Sequence, residues 1–83
     1  MNECFFLGKI ANVYNFSFVY NKSIKHKCVI KFKLKLLNEE YIEILAFDDL
    51  IDKVIINKLK FVYIHAEIIE NMNINLKKII VND

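Results

Sequence analysis

Between Cys28 and Leu37 the chain alternates without a break. Ile30, Phe32, Leu34 and Leu36 are apolar, and Lys31, Lys33 and Lys35 stand between them. Successive side chains of a strand point to opposite faces, so this spacing predicts a half-buried antiparallel strand with an apolar inner face and a lysine outer face. Asn38-Glu39-Glu40 predicts a turn, and Tyr41 to Phe47 the next strand. There Ile42, Ile44 and Ala46 are expected inward, which leaves Tyr41, Glu43, Leu45 and Phe47 outward. So apolar an outward set is unusual for a face turned to water.

The remaining elements follow from the same rules. Glu3 to Tyr14, rich in Phe, Ile, Val and Tyr, predicts a long first strand, and Gly8 within it predicts a bulge or a sharp bend. Residues 15–27 are more polar, with Phe16, Phe18 and Tyr20 at a spacing of two, and are expected as an extended loop or edge segment. Asp48 to Ile55 predicts a short helix, with Asp48 as its N-cap and Asp49 and Asp52 favourable to the dipole. Leu50, Ile51, Val54 and Ile55 form its apolar stripe, and Asn57 is expected as a left-handed C-terminal residue. Phe61 to Ile69 predicts the fourth strand, with Val62, Ile64, Ala66 and Ile68 inward. Residues 70–73 turn, and Ile74 to Val81 is the last strand.

The predicted order is β-β-β-α-β-β. This is the arrangement of an all-β, five-stranded OB-fold barrel with one short helix between strands three and four. A ferredoxin-like fold would need a second helix. At 83 residues the chain is expected to be a single domain, residues 1–83. A domain of this size buries only about 60% of the surface its unfolded chain exposes. Apolar residues make up 55% of the composition, so some must remain on the surface, and association to at least a dimer is expected.

Charge changes the picture more by its distribution than by its sum. The net charge is only +2, but from Cys4 to Asn38 there are seven lysines and no acid, whereas from Glu39 onward there are five lysines and nine acids. All twelve basic residues are lysine. Lysine meets phosphate as a mobile point charge and lacks the bidentate fork with which arginine reads guanine, so the basic half suits backbone binding over sequence reading. A solvated, merely solubilising face is the plainer reading of the same lysines.

Chemistry is sparse. The sequence has no glycine-rich phosphate loop, no Gly-x-Ser-x-Gly elbow and no His-Glu-x-x-His, and no enzymatic activity or cofactor is expected. Asp48, Asp49 and Asp52 are better explained by capping and solvation than as metal ligands. Cys4, His26, Cys28 and His65 match no compact zinc spacing, so no metal site is expected. No secretory leader and no apolar run long enough to span a membrane is visible, and free thiols in a reducing cytoplasm are expected. What remains is the pairing of Lys31, Lys33 and Lys35 with Tyr41 and Phe47 on the neighbouring strand. Single strands are held by rings under bases and cations beside phosphates. Tyr63, outward on the fourth strand, is expected to extend that platform, and Lys22, Lys25 and Lys27 to add phosphate contacts.

Several of these segments resemble bacterial single-stranded DNA-binding proteins. Cys4-Phe5-Phe6-Leu7-Gly8-Lys9-Ile10 is similar to their opening strand, and Tyr41-Ile42-Glu43-Ile44-Leu45-Ala46-Phe47 with Asp48 to Val54 to their third strand and helix. Leu59 to Ile68 and Leu76 to Asn82 resemble the next two strands. The primosomal replication protein of the same fold class fits about equally well. The resemblance implies that Tyr41 and Phe47 stack on bases and that Cys4, Phe5, Phe6 and Leu7 form a dimer contact. It also has gaps. The long hairpin before the third strand is cut to Leu37-Asn38-Glu39-Glu40, and the aromatic it carries has no counterpart. A Trp after the fourth strand is replaced in the region of Met72 and Asn73, and the glycines around that strand by Lys60 and Ala66. The acidic C-terminal tail has no match. An accessory paralogue with a short footprint is therefore expected over a replication hub.

The resulting expectation is sequence-independent binding of single-stranded DNA, with RNA as the other polymer the same chemistry would hold, by a homodimer or homotetramer. No membrane partner and no small-molecule substrate is expected. The alternative is a protein-interaction or oligomerisation module in which the Tyr41, Leu45 and Phe47 patch docks protein, a reading that Glu43 favours because it repels phosphate.

Overall fold

The computed structural model describes residues 2–16, 28–69 and 73–81. Five strands and one helix follow in the order β1 (Asn2–Phe16), β2 (Val29–Leu36), β3 (Tyr41–Phe47), α1 (Asp49–Ile56), β4 (Phe61–Ile68) and β5 (Ile74–Val81). The strands close into a barrel in the order β1-β2-β3-β5-β4, and β4 returns to β1. All neighbours are antiparallel except β3 and β5, which meet in parallel at Leu45 and Asn75. The architecture is that of an OB-like fold.

Period-two patterning puts the core where it was expected. Ile30, Phe32 and Leu34 from β2, Ile44 and Ala46 from β3, and Val62, Ile64 and Ala66 from β4 are all buried. Ile10 and Leu76 add β1 and β5, and Val54 adds the helix. These side chains fill the interior as one cluster, so the barrel is a packed core without a channel. The helix rests against β3, β5 and β2.

Strand β1 serves both sides of the barrel. Its first half pairs with β4 and its second half with β2, and Gly8 and Lys9 pair with both. Gly8 is buried, and its role is close approach: a Cβ there would stand 2.5 Å from the Lys35 carbonyl oxygen and 2.9 Å from the Leu34 Cγ. Of the bulge or sharp bend expected at Gly8, the bulge lies instead between Ile10 and Asn12, where Ala11 is the extra residue, while Gly8 stands where β1 passes from β4 to β2. The bulge reverses the inward parity, so that Ile10 and Val13 both pack on the core.

Three local expectations at the helix are corrected. Asp48 makes no side-chain cap; its carboxylate accepts the Cys28 N–H at 3.1 Å, and its own N–H donates to the Cys28 carbonyl at 3.2 Å. The long-range tie to the start of β2 displaces the local cap and holds Asp48 at φ 48°. Asn57 has φ −99°, and the left-handed residue is Leu59, at φ 69°. Asn57 closes the helix through its side chain, which donates to the Lys53 carbonyl at 2.7 Å. Ile55 turns away from the core and is exposed, as is Ile56. No helix among the described residues is long and apolar enough to cross a membrane.

Candidate nucleic-acid interface

The β2–β3 hairpin carries the expected pair of features on its outer surface. In register, Lys31 faces Leu45, Lys33 faces Glu43, and Lys35 faces Tyr41, while Val29 faces Phe47. The inward residues of both strands are locked in the core, and that anchors the parity of the outward ones. Tyr41 is 52% exposed and Phe47 is partly covered. The phenol and the phenyl ring therefore lie outside the barrel, on one strand, with lysines on the next.

Acids temper this surface. Glu43 reaches Lys31 at 3.7 Å and stands opposite Lys33. Glu39 reaches Lys35 at 2.8 Å. That hydrogen bond, reinforced by the carboxylate charge, holds the Lys35 ammonium above its ordinary pKa of 10.5. Exposed pairs of this kind are worth little, and their side chains are released readily to a competing anion.

Closure of the barrel brings in two residues that sequence patterning did not single out. Lys9 sits across from Lys35 on one side and from Phe61 on the other, so Tyr41, Lys35, Lys9 and Phe61 form one row over four strands. At about 4.8 Å per strand the row is about 14 Å long. Lys9, Lys35, Glu39 and Phe61 line a shallow cleft of about 200 Å³, and Phe61 is 55% exposed. Lys9 has no ion-pair partner among the described residues. Alternation with Val62 already implied an outward Phe61; its adjacency to Lys9 depends on β1 bridging β2 and β4, which no local pattern encodes.

Tyr63 does not extend the Tyr41–Phe47 platform. It is outward, but on β4, which is separated from β3 by β5 on one side and by β1 and β2 on the other. It faces Leu7 on one side and Ile80 on the other, and these three line a second depression together with Phe61, which also borders the Lys9–Lys35 cleft. The Phe5 ring lies between neighbours, stacked at 5.9 Å on Tyr63 and at 4.7 Å on the His65 imidazole, whose Nε2 meets the Glu3 carboxylate at 2.5 Å. Of the four residues expected at a dimer contact, Phe5 and Leu7 are exposed on this surface, while Cys4 and Phe6 turn inward and pack against the core. Period two divides the segment between two faces. Burial pushes the Cys4 thiol above its ordinary pKa.

Lys22, Lys25 and Lys27 lie outside the described residues, as does His26. Among the described residues no three His, Cys, Asp or Glu side chains converge as metal ligands would. Asp48, Asp49 and Phe47 instead border an open depression with Glu67 and Lys77, beside the β3–β5 seam. Comparison with protein-family models, with curated proteins and with solved structures finds no match.

Proposed function

We propose that this protein is a non-catalytic barrel that binds single-stranded DNA, with little regard to sequence, across the outer surface of β2 and β3. The observation that carries this reading is the register: Lys31, Lys33 and Lys35 lie directly across from the strand that carries Tyr41 and Phe47, on a face that is exposed at Tyr41 and partly covered at Phe47, opposite the buried Val29. Tyr41 and Phe47 would stack on bases, and the three lysines, with Lys9, would meet phosphates. Stacking on exposed rings is worth about 1–3 kcal/mol per base and tolerates any base, because every base has a flat face. Glu43 on the same face opposes phosphate, so modest affinity follows.

Fluorescence anisotropy with a labelled oligo-dT at low salt tests the reading. Saturable binding is expected, with log K falling against log salt at a slope of about −2 if three phosphates are neutralised on a single strand. Replacing both Tyr41 and Phe47 by Ala should weaken binding at least tenfold while the far-ultraviolet circular dichroism stays unchanged. No binding by the wild-type chain at low salt refutes the proposal. A parallel titration with oligo-rU distinguishes a DNA preference from general single-strand binding.

A second reading is favoured by a different surface. Phe5, Leu7, Tyr63 and Ile80 expose apolar area together on β1, β4 and β5. Exposed apolar groups that adjoin on a small domain suit association of copies of the chain. In this reading oligomerisation uses Phe5 and Leu7 with β4 and β5, and leaves the β2–β3 surface open to nucleic acid. Leu7→Glu should then lower the mass measured by sedimentation velocity without changing oligo-dT affinity per chain.

A further inference from the structure

The hairpin that joins β2 to β3 places an acid where the backbone least favours one. The Glu39 N–H donates to the Leu36 carbonyl at 3.0 Å, and the Leu36 N–H donates to the Glu40 carbonyl at 2.8 Å. This is a three-residue loop, Leu37-Asn38-Glu39, whose last residue takes the left-handed conformation of a bulge. Glu39 has φ 72°. That position favours Gly, or Asn where a side chain is present, and an unbranched acid there is uncommon. Strain of this kind points to a role for the side chain that occupies it.

The side chain supplies that role. From the left-handed position the Glu39 carboxylate folds back onto the Lys35 ammonium at 2.8 Å, although Glu39 itself is largely exposed. Both residues border the cleft that also contains Lys9 and the Phe61 ring. The Glu39 carboxylate is thus an anion paired with Lys35 at the border of a cleft that Lys9 and the exposed Phe61 ring also line. A carboxylate and a phosphodiester each offer an ammonium group one negative charge shared by two acceptor oxygens. The neighbouring acid does not do this: the Glu40 carboxylate is held by the Asn38 amide at 2.8 Å.

We propose that the cleft between Lys9, Lys35 and Phe61 receives one backbone phosphate of a bound single strand, and that Glu39 stands in for that phosphate in the free protein. This rests on the reading of the β2–β3 surface as a nucleic-acid interface. Binding then exchanges one ion pair for another: Lys35 leaves Glu39 and takes the phosphate, Lys9 adds a second cation, and the adjoining base lies against Phe61. Glu39 acts as an intramolecular competitor that lowers affinity and makes release easy.

Anisotropy titrations of oligo-dT against the full chain test this with three variants. Glu39→Gln keeps the size and the backbone and removes the competing charge; it should bind about fivefold more tightly at low salt, the scale set by an exposed ion pair. Its salt slope should steepen, because the same phosphate is neutralised without freeing a carboxylate that takes up a counterion. Glu40→Gln changes the net charge equally and should have a much smaller effect. Adding Lys9→Gln to Glu39→Gln should cancel most of the gain. If the wild type binds and Glu39→Gln binds no better than Glu40→Gln, Glu39 is no competitor and the inference falls while the nucleic-acid reading stands. If neither the wild type nor any variant binds, both fall.

Discussion

Gly8 and Lys35 approach so closely that a Cβ on Gly8 would stand 2.5 Å from the Lys35 carbonyl oxygen. The obstacle is backbone, which cannot swing aside like the end of a side chain. Gly8 is also where β1 passes from one neighbour to the other, pairing with Leu36 and with Val62. The only glycine of the chain thus stands at the seam that lets one strand close the barrel.

Gly8→Ala should therefore force β1 and β2 apart. A destabilisation of about 1–3 kcal/mol is expected, the range for overpacking a filled interior. Urea denaturation followed by circular dichroism measures it. An unchanged midpoint would mean that the strands have slack at this crossing.

The two cysteines are predicted to differ in reactivity. Cys28 is exposed at the start of β2, whereas Cys4 packs against the core and burial raises its thiol pKa. Only the thiolate attacks a disulfide reagent. At mildly alkaline pH the native chain should release one equivalent of thionitrobenzoate rapidly and a second slowly, with both fast in guanidinium. Mass spectrometry of the early product should place the label on Cys28.

These outcomes separate what was legible in the sequence from what was not. The alternation of Ile30, Phe32 and Leu34 with three lysines, and of Val62, Ile64 and Ala66 with polar and aromatic residues, already located β2 and β4 and their inner faces. The five-stranded OB-type barrel was inferred from the order of elements along the chain, and the barrel agrees with it. Tyr63 was correctly expected outward, but which surface it shares depends on the barrel order, in which β4 lies beside β1 and β5. Asp48 had every local mark of a helix cap; its carboxylate instead bonds a residue twenty positions earlier. Ala11 became the bulge because of its register with β2, a property of two strands together. For the same reason Lys9 and Phe61 stood out only once β1 was seen to bridge two neighbours.

Stability should carry a small signature of Lys35 at high pH. Its pKa is raised in the folded chain, chiefly by the hydrogen bond and charge of Glu39, from an ordinary value of 10.5. A raised pKa contributes stability that is fully present below the unfolded value and is lost as pH rises through the folded one. The melting temperature of the wild type should thus exceed that of Lys35→Gln by a constant margin from neutral pH upward, and the margin should close above pH 10.5. A margin that grows in that range would contradict the pairing with Glu39.

The central claim is that the β2–β3 outer surface, with its lysines and its two rings, is where a single strand lies. The most direct measurement is the map of amide chemical-shift changes as oligo-dT is added to the isotopically labelled chain. The account predicts that the largest changes fall on Lys31 to Lys35 and Tyr41 to Phe47, extend to Lys9 and Phe61, and spare Phe5, Tyr63 and Ile80. Changes centred on Phe5, Tyr63 and Ile80, with the hairpin unmoved, would contradict it.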